Sequence, residues 1–353
     1  MKITKTSYER LDLSLSVPYT IAYETVDRTT NFILKLETNT KMVGYGCAAP
    51  DATVTSETAE EVERAIKDIL VPFLKGKDPF AYALLLTELK SLLGTKSSAL
   101  AMVDMALHDL ISKKAGVPLY RFLGGYRNHI PTSITIGILP LEATLVQARE
   151  FMEQGFSIIK VKGGADVEED IAKMRRLREL YPKAVFRFDG NQGYSVAESL
   201  RFFEGTRSVG IEIFEQPTRV DQDESLGRVT QGTNIPVMAD ESLKTLKDAF
   251  RLAQNERIDM INIKLMKVGG ILEATHINSV AKSAGLEAMV GCLDECALGI
   301  AAGLHFALSR PNIHYADLDG HLEIMGDPFK ELFNIKNGVL HPTAHPGLGK
   351  IDL

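Results

Sequence analysis

The sequence predicts an α/β protein in which a closed (β/α)8 barrel follows a smaller α+β domain. Three observations predict it. From about Ile130 onward, eight short apolar runs alternate with helical stretches, the pattern of βαβ units around a parallel sheet. Several of those runs end on a charged residue, one per unit. Residues 1–125 lack that alternation and read instead as an antiparallel meander followed by helices.

In the first segment, ITKTSYERLDLSL and NFILKLETNTKMVGYG alternate as strands do, while the stretch VPYTIAYETVDRTT between them is polar, lacks a period and reads as a surface loop. Helical patterns follow in SETAEEVERAIKDILVPFLKG, which opens on Ser56 and closes at Gly76, then in PFAYALLLTELKSLL and SSALAMVDMALHDLISKKAG. The barrel runs are IPTSITIGI, SIIKVKGG, AVFRFDGNQG, IEIFEQP, IPVMADES, DMINIKLMKVGG, EAMVGC and NIHYADLDGH. Helical candidates between them include LEATLVQAREFMEQG, DVEEDIAKMRRLRELYP, SVAESLRFFEGTR, TLKDAFRLAQNER and GILEATHINSVAKSAG. Eight consecutive strands favour a closed TIM-type barrel, placed at 126–324, over an open doubly wound sheet. The tail 325–353 cannot form another βα unit and is expected to fold back and complete the N-terminal domain, 1–125.

At 353 residues the chain is too long for one average domain and short for three. A hydrophobic share of 45% with 24% charged residues suits a globular core and excludes compositional disorder. The formal net charge of −6 argues against a nucleic-acid partner, which asks for a basic face. Three cysteines, Cys47, Cys292 and Cys296, are an odd number with no CxxC spacing, so buried thiols in a reducing compartment are expected rather than a disulfide framework. The N-terminus lacks the apolar stretch of a signal peptide, and no run approaches the roughly 18 apolar residues of a membrane span. A cytoplasmic enzyme with no membrane partner is the expectation.

The chemistry sits at the strand ends. Lys162, Asp189, Glu215, Asp240 and Lys264 follow one another at intervals of 27, 26, 25 and 24 residues, with Lys160 two before Lys162. In a barrel this spacing sets them side by side around the mouth of one cavity, where barrel enzymes keep their active sites. A single acid after a strand is commonly a helix cap. Three carboxylates on consecutive strands flanked by lysines are not, because crowded like charges cost several kcal/mol unless compensated. Mg2+, which takes oxygen ligands and leaves positions open for substrate oxygens, is the natural compensator. Lys160 and Lys162 share a strand face, and their repulsion is expected to lower an ammonium pKa from about 10.4 toward about 7–8. Lys264 arrives from four strands further on, across the barrel, so two bases flank one carbon.

KVK, FDGNQG, FEQP, ADES and IKLMKVGG resemble the muconate-lactonizing subgroup of the enolase superfamily, and the resemblance runs nearly the whole chain. It implies one Mg2+ per site held by Asp189, Glu215 and Asp240, a carboxylate contact from Lys160, and proton exchange by Lys162 and Lys264. It also implies an α+β capping domain whose loop closes the site. Asn191, two after Asp189, is expected to touch substrate or support a ligand, and Glu241 to orient Lys264 or a metal ligand or to cap a helix. Many members of the family are oligomeric, which leaves a homo-oligomer open.

The last strand narrows the reaction. Asp317 and Asp319 are two apart and share a face, and two carboxylates at a barrel mouth ask for a cation. This D-x-D resembles the one with which dipeptide epimerases hold the α-ammonium of the N-terminal residue, so a dipeptide substrate is implied. Where Ala-Glu epimerases place an arginine in the cap loop, AYETVDR puts Glu24, with Arg28 nearby. Asp294 adds an acid in GCLDECALG, where relatives are often apolar. An acidic pocket repels a glutamyl side chain and attracts a lysyl or arginyl one, so basic or polar dipeptides are the expectation. The alternatives are an o-succinylbenzoate synthase, an N-acylamino acid racemase or a muconate-type cycloisomerase, against which Asp317 and Asp319 argue. A non-catalytic barrel is disfavoured by the complete set of bases and acids.

Overall fold

The structure, a computed structural model, describes residues 1–20, 25–254 and 257–352. Strands β1 (Ile3–Thr20), β2 (Thr25–Thr38) and β3 (Val43–Ala48) form an antiparallel sheet in the order β1-β2-β3. The stretch read from the sequence as a loop is therefore mostly strand, because the ladder continues with Tyr19 opposite Val26 and Thr20 opposite Thr25. A register shift between Ser14 and Tyr19 breaks the side-chain alternation by which a strand is recognised.

The first helical stretch begins after Thr58 rather than at Ser56. Thr58 and Glu61 form a reciprocal capping box, whereas Ser56 has φ of 61°. Helix α1 (Ala59–Ala65) runs through a π turn at Ile66–Leu70 into α2 (Val71–Leu74). Helices α3 (Tyr82–Leu93), α4 (Ser97–Ala115) and α5 (Leu119–Phe122) complete the segment.

Helix α4 is buried from Ser98 to Ser112 because it lies between the cap sheet and the barrel. Its buried acids tie the parts together. Asp104 accepts a bond from the Leu272 amide, and Asp109 from the amides of Tyr45 and Leu348. Strand β3 can lie this close because Gly44 and Gly46 face the helix. A Cβ at Gly46 would overlap the Met102 carbonyl and stand 2.9 Å from the Ala106 nitrogen. Gly46→Ala should therefore cost about 3 kcal/mol of stability, read as a lower urea midpoint; an unchanged midpoint would show that sheet and helix can separate freely.

After the short strand β4 (Ile130–Pro131), eight parallel strands alternate with helices. They are β5 (Ile134–Ile136), β6 (Ile158–Lys162), β7 (Val185–Asp189), β8 (Ile211–Glu215), β9 (Val237–Ala239), β10 (Met260–Lys264), β11 (Glu287–Gly291) and β12 (Ile313–Asp317). The helices are α6 (Leu141–Glu153), α7 (Val167–Leu180), α8 (Val196–Thr206), α9 (Asp223–Gly232), α10 (Leu246–Ala253), α11 (Leu265–Val268), α12 (Ile271–Ser283) and α13 (Ala297–Ser309). Every strand pairs with its sequence neighbour, and a parallel bridge from Thr132 to Ala316 joins the two ends.

Strand alternation sorts the barrel's side chains. Phe186, Phe188, Phe214, Ile261, Ile263 and Val290 are fully buried within the main hydrophobic core. Ile213, Met238, Met260 and Met289, with Tyr315 against them, form a separate cluster, and Ile213, Met289 and Tyr315 each lie two residues before the end of their strand. Strand β13 (Phe333–Lys336) pairs with β14 (Val339–Pro342), β14 pairs with β4, and residues 347–348 bond to Val117, Leu119 and Asp109. Among the described residues no helix is long and apolar enough to cross a membrane.

Candidate active site

Strand register builds the site. Lys162 stands opposite Asp189 on β7, Asp189 opposite Glu215 on β8, and Asp240 lies two residues beyond the Met238 that pairs with Glu215. On the far side Lys264 pairs with Gly291, and Gly291 with Asp317. One tier of the barrel mouth thus carries six charged side chains. Strands β6 and β10, four apart in a ring of eight, set Lys162 and Lys264 on opposite walls.

The tier is held by ion pairs cut off from water. The Lys160 ammonium, 3% exposed, lies 3.1 Å from Asp189, 2.7 Å from Glu215 and 2.9 Å from Asp317. Lys264 stands 2.8 Å from Asp240. Burial alone lowers an ammonium pKa, yet Asp189, Asp317 and Glu215 together hold Lys160 well above its ordinary value. Asp240 does the same for Lys264. The expected lowering by lysine–lysine repulsion is thus reversed at Lys160, because carboxylates rather than Lys162 are its nearest neighbours. Burial pushes the Glu215 carboxyl up to about 8, with Asp189 and Asp240 adding to the rise. Burial would raise Asp240 also, but Lys264, Lys267 and Lys160 keep it well below the usual carboxylate range.

Two members of this network were quoted in the sequence motif without a role. Lys267, fully buried, donates to both the carboxylate and the carbonyl of Asp240. It reaches back because α11 begins directly at the end of β10 and turns the lysine toward the strand ends. Asn262 donates to Glu215 at 2.8 Å. Its position, two before Lys264 and so on the same face, was the available signal. Asn191 adopts φ of 42°, and its amide donates to Asp189. The Asn191 Oδ1 and Glu241 Oε2 atoms are buried without a partner among the described residues, and both side chains line the cavity.

Asp317 and Asp319 face the same cavity as Lys160, Lys162, Asp240 and Lys264, whereas Asp189 and Glu215 lie behind the Lys160 ammonium. Asp317 accepts from Ser133 at 2.6 Å as well as from Lys160, and Asp319 from the Thr135 amide at 2.7 Å. Burial and the Asp317 charge push Asp319 up to about 7. Asp294 lines the cavity too, joined by Asp51 of the cap and Glu323 of the loop after β12, neither of which the sequence reading singled out. Glu24 lies outside the described residues. Arg28 is exposed and pairs with Asp27 at 3.1 Å.

The donor set fits a hard divalent cation. Asp189, Glu215 and Asp240 offer only carboxylate oxygens, and burial with the neighbouring acids raises Glu215. Among the described residues no three such side chains close on one point as they stand, since Lys160 lies between Asp189 and Glu215 and Asp240 is turned to Lys264 and Lys267.

Comparison with known proteins matches both parts of the chain. Residues 5–124 match the mandelate racemase / muconate lactonizing enzyme N-terminal domain, and residues 143–350 match the enolase C-terminal domain-like family. The chain is 41% identical to an L-Lys-D/L-Arg epimerase of Desulforapulum autotrophicum, over 99% of both chains. It is 37% identical to the L-Ala-D/L-Glu epimerase of Bacillus subtilis, over 99% of this chain and 97% of that one. The crystal structure of the dipeptide epimerase from Methylococcus capsulatus, complexed with Mg and the dipeptide L-Arg-D-Lys, is 38% identical and superposes with a TM-score of 0.95, covering 99% of each chain.

Proposed function

The chain belongs to the mandelate racemase / muconate lactonizing enzyme family of the enolase superfamily, and from that premise we propose that it is a Mg2+-dependent dipeptide epimerase. The observation that carries the reading is the pairing of two features at one barrel mouth: lysines on opposite walls of a cavity, with Asp240 in its lining and Asp189 and Glu215 behind Lys160, and the Asp317–Asp319 pair in the same lining. A dipeptide spans both, its carboxylate toward Lys160 and its α-ammonium between the two aspartates.

When bound, Mg2+ held by Asp189, Glu215 and Asp240 supplies the positive charge that offsets the second negative charge gained by a carboxylate losing its α-proton. The chain's own residues do the rest. Lys162 or Lys264 removes the α-proton as general base, and its counterpart across the barrel returns one to the opposite face. Lys160 donates to the carboxylate, whose charge grows as the enediolate forms, so its contact strengthens where the barrier lies.

The side-chain preference follows from the walls. Asp294 and the acids around it disfavour a glutamyl residue and favour lysyl or arginyl ones, in keeping with the likeness to the L-Lys-D/L-Arg epimerase. The three free cysteines and the net charge of −6 support a reducing, cytoplasmic setting without a nucleic-acid partner. A panel of L,L-dipeptides in D2O, followed by loss of the α-proton signal, tests the reading. Lysine- and arginine-containing dipeptides should exchange at least tenfold faster than Ala-Glu. Faster turnover of Ala-Glu overturns the preference, and faster turnover of an N-acylamino acid than of any dipeptide overturns the epimerase reading.

A further inference from the structure

We propose that Asp170 and Tyr194 form a positioning pair for one of the two bases, fixing the exit of β6 so that Lys162 meets the α-proton of the substrate. The proposal rests on the dipeptide reading above and adds two residues that lie outside the cavity lining and act through the lysine.

Lys162 is the last residue of β6, and the chain continues through Gly163 and Gly164 to Asp166, the N-cap of α7. Two glycines bring no side chain with which to anchor that exit, and glycine has the widest backbone freedom of any residue. The anchors come from neighbours instead. The Gly163 amide donates to the Asp189 carbonyl at 2.9 Å, and the Gly164 amide donates to the Asp170 carboxylate at 2.9 Å. Gly164 adopts φ of 102°, and a Cβ there would stand 2.1 Å from the Gly190 carbonyl oxygen. The exit of β6 therefore lies directly on the loop that follows β7.

The same Asp170 oxygen accepts from the Tyr194 hydroxyl at 2.6 Å. Tyr194 belongs to that second loop, which starts after Asp189 and carries Asn191. Its place is fixed independently, because its amide donates to the Pro217 carbonyl at 2.9 Å and its ring stacks on Phe188 with centroids 6.2 Å apart. Asp170 stands on the first turn of α7, buried, with the Lys173 ammonium 3.5 Å away. A buried carboxylate is costly unless donors surround it, and this one draws them from two loops and its own helix. Burial and the Asp170 charge hold the Tyr194 phenol above its ordinary value, so the phenol keeps its proton and donates. One carboxylate oxygen thus ties the chain two residues beyond Lys162 to the chain five residues beyond Asp189.

Loss of this tie leaves the cavity lining in place but frees the backbone that aims Lys162. A misplacement of about 1 Å is enough to slow a reaction about a hundredfold. Lys264 is held from elsewhere, since Asp240 pairs with it at 2.8 Å and α11 begins directly after it. The pair therefore acts on one base and not on the other.

The test adds Tyr194→Phe, which keeps the ring and removes only the hydroxyl, to two single-lysine forms of the Mg2+-loaded full chain. In Lys264→Met the remaining base is Lys162, and in Lys162→Met it is Lys264, so exchange of the α-proton with D2O reports each lysine alone. At saturating dipeptide, Tyr194→Phe should lower exchange roughly tenfold in Lys264→Met and leave it within about twofold in Lys162→Met, with KM moved less than about twofold in both. Asp170→Asn, which keeps the shape of the side chain and removes its charge, should give the same one-sided loss. Partial unfolding lowers both forms alike and does not imitate that asymmetry. Equal losses, no loss in either form, or a loss confined to Lys162→Met overturn the pair while leaving the epimerase reading intact. Absence of exchange in Lys264→Met overturns the role of Lys162 on which the pair acts. Failure of the unmodified chain to epimerise any dipeptide overturns the dipeptide reading and the pair with it.

Discussion

Replacing Lys162 or Lys264 with methionine is expected to lower dipeptide epimerisation by roughly a hundredfold to ten-thousandfold, the range that a positioned general base contributes. Methionine keeps an unbranched stem and removes the charge. Because the two lysines sit on opposite walls, each variant should lose one half of the reaction more than the other. The epimer whose α-proton faces the surviving lysine should still exchange with D2O, without inverting. Proton NMR of the L,L and L,D dipeptides, each incubated separately, resolves this asymmetry. Epimerisation at the unmodified rate in either variant would remove that lysine from the reaction.

Asp240→Ala is expected to destabilise the fold by about 3–5 kcal/mol and to abolish stabilisation by Mg2+. The physical cause is Lys267, fully buried and bonded to Asp240, which would be left as an uncompensated buried charge. Urea unfolding measures both effects. The midpoint should fall in metal-free buffer, and added Mg2+ should no longer raise it, since binding to the native state is what shifts the equilibrium. Adding Lys267→Met to Asp240→Ala should recover much of the stability but none of the metal response. That coupling separates the ion pair from the ligand role. If Asp240→Ala keeps its midpoint and still responds to Mg2+, neither role stands.

Legibility in the sequence followed from how local the physics is. The Lys160/Lys162 pair was readable because strand alternation puts residues two apart on one face, a rule that needs no partner, whereas Asp319 lies beyond the end of β12 and lines the cavity beside Asp317 from the loop. Asp189, Glu215 and Asp240 were readable because each βα unit delivers its last residue to the same rim. Helix α13, buried on every side, gave no such signal, since an element without a polar face has no amphipathic period. Helix α9 also escaped notice. The outer reaches of β1 and β2 were misjudged because backbone pairing, not side-chain pattern, holds them in the sheet.

The order of charged residues along the chain determined by itself the barrel, the lysines on opposite walls and the acids between them, because strand period and βα repetition are encoded over a few tens of residues. Only the tertiary structure decided what surrounds them. Lys267 meets Asp240 because α11 folds back against the strand ends, and Glu323 meets Ser16 across more than 300 residues of chain. Asp51 and Asp294 line one cavity only because the cap rests on the barrel. Contacts closed by packing between distant segments leave no spacing in the sequence. The electrostatics that depend on them, including the raised Lys160 and Glu215, become visible only when the buried neighbours are in place.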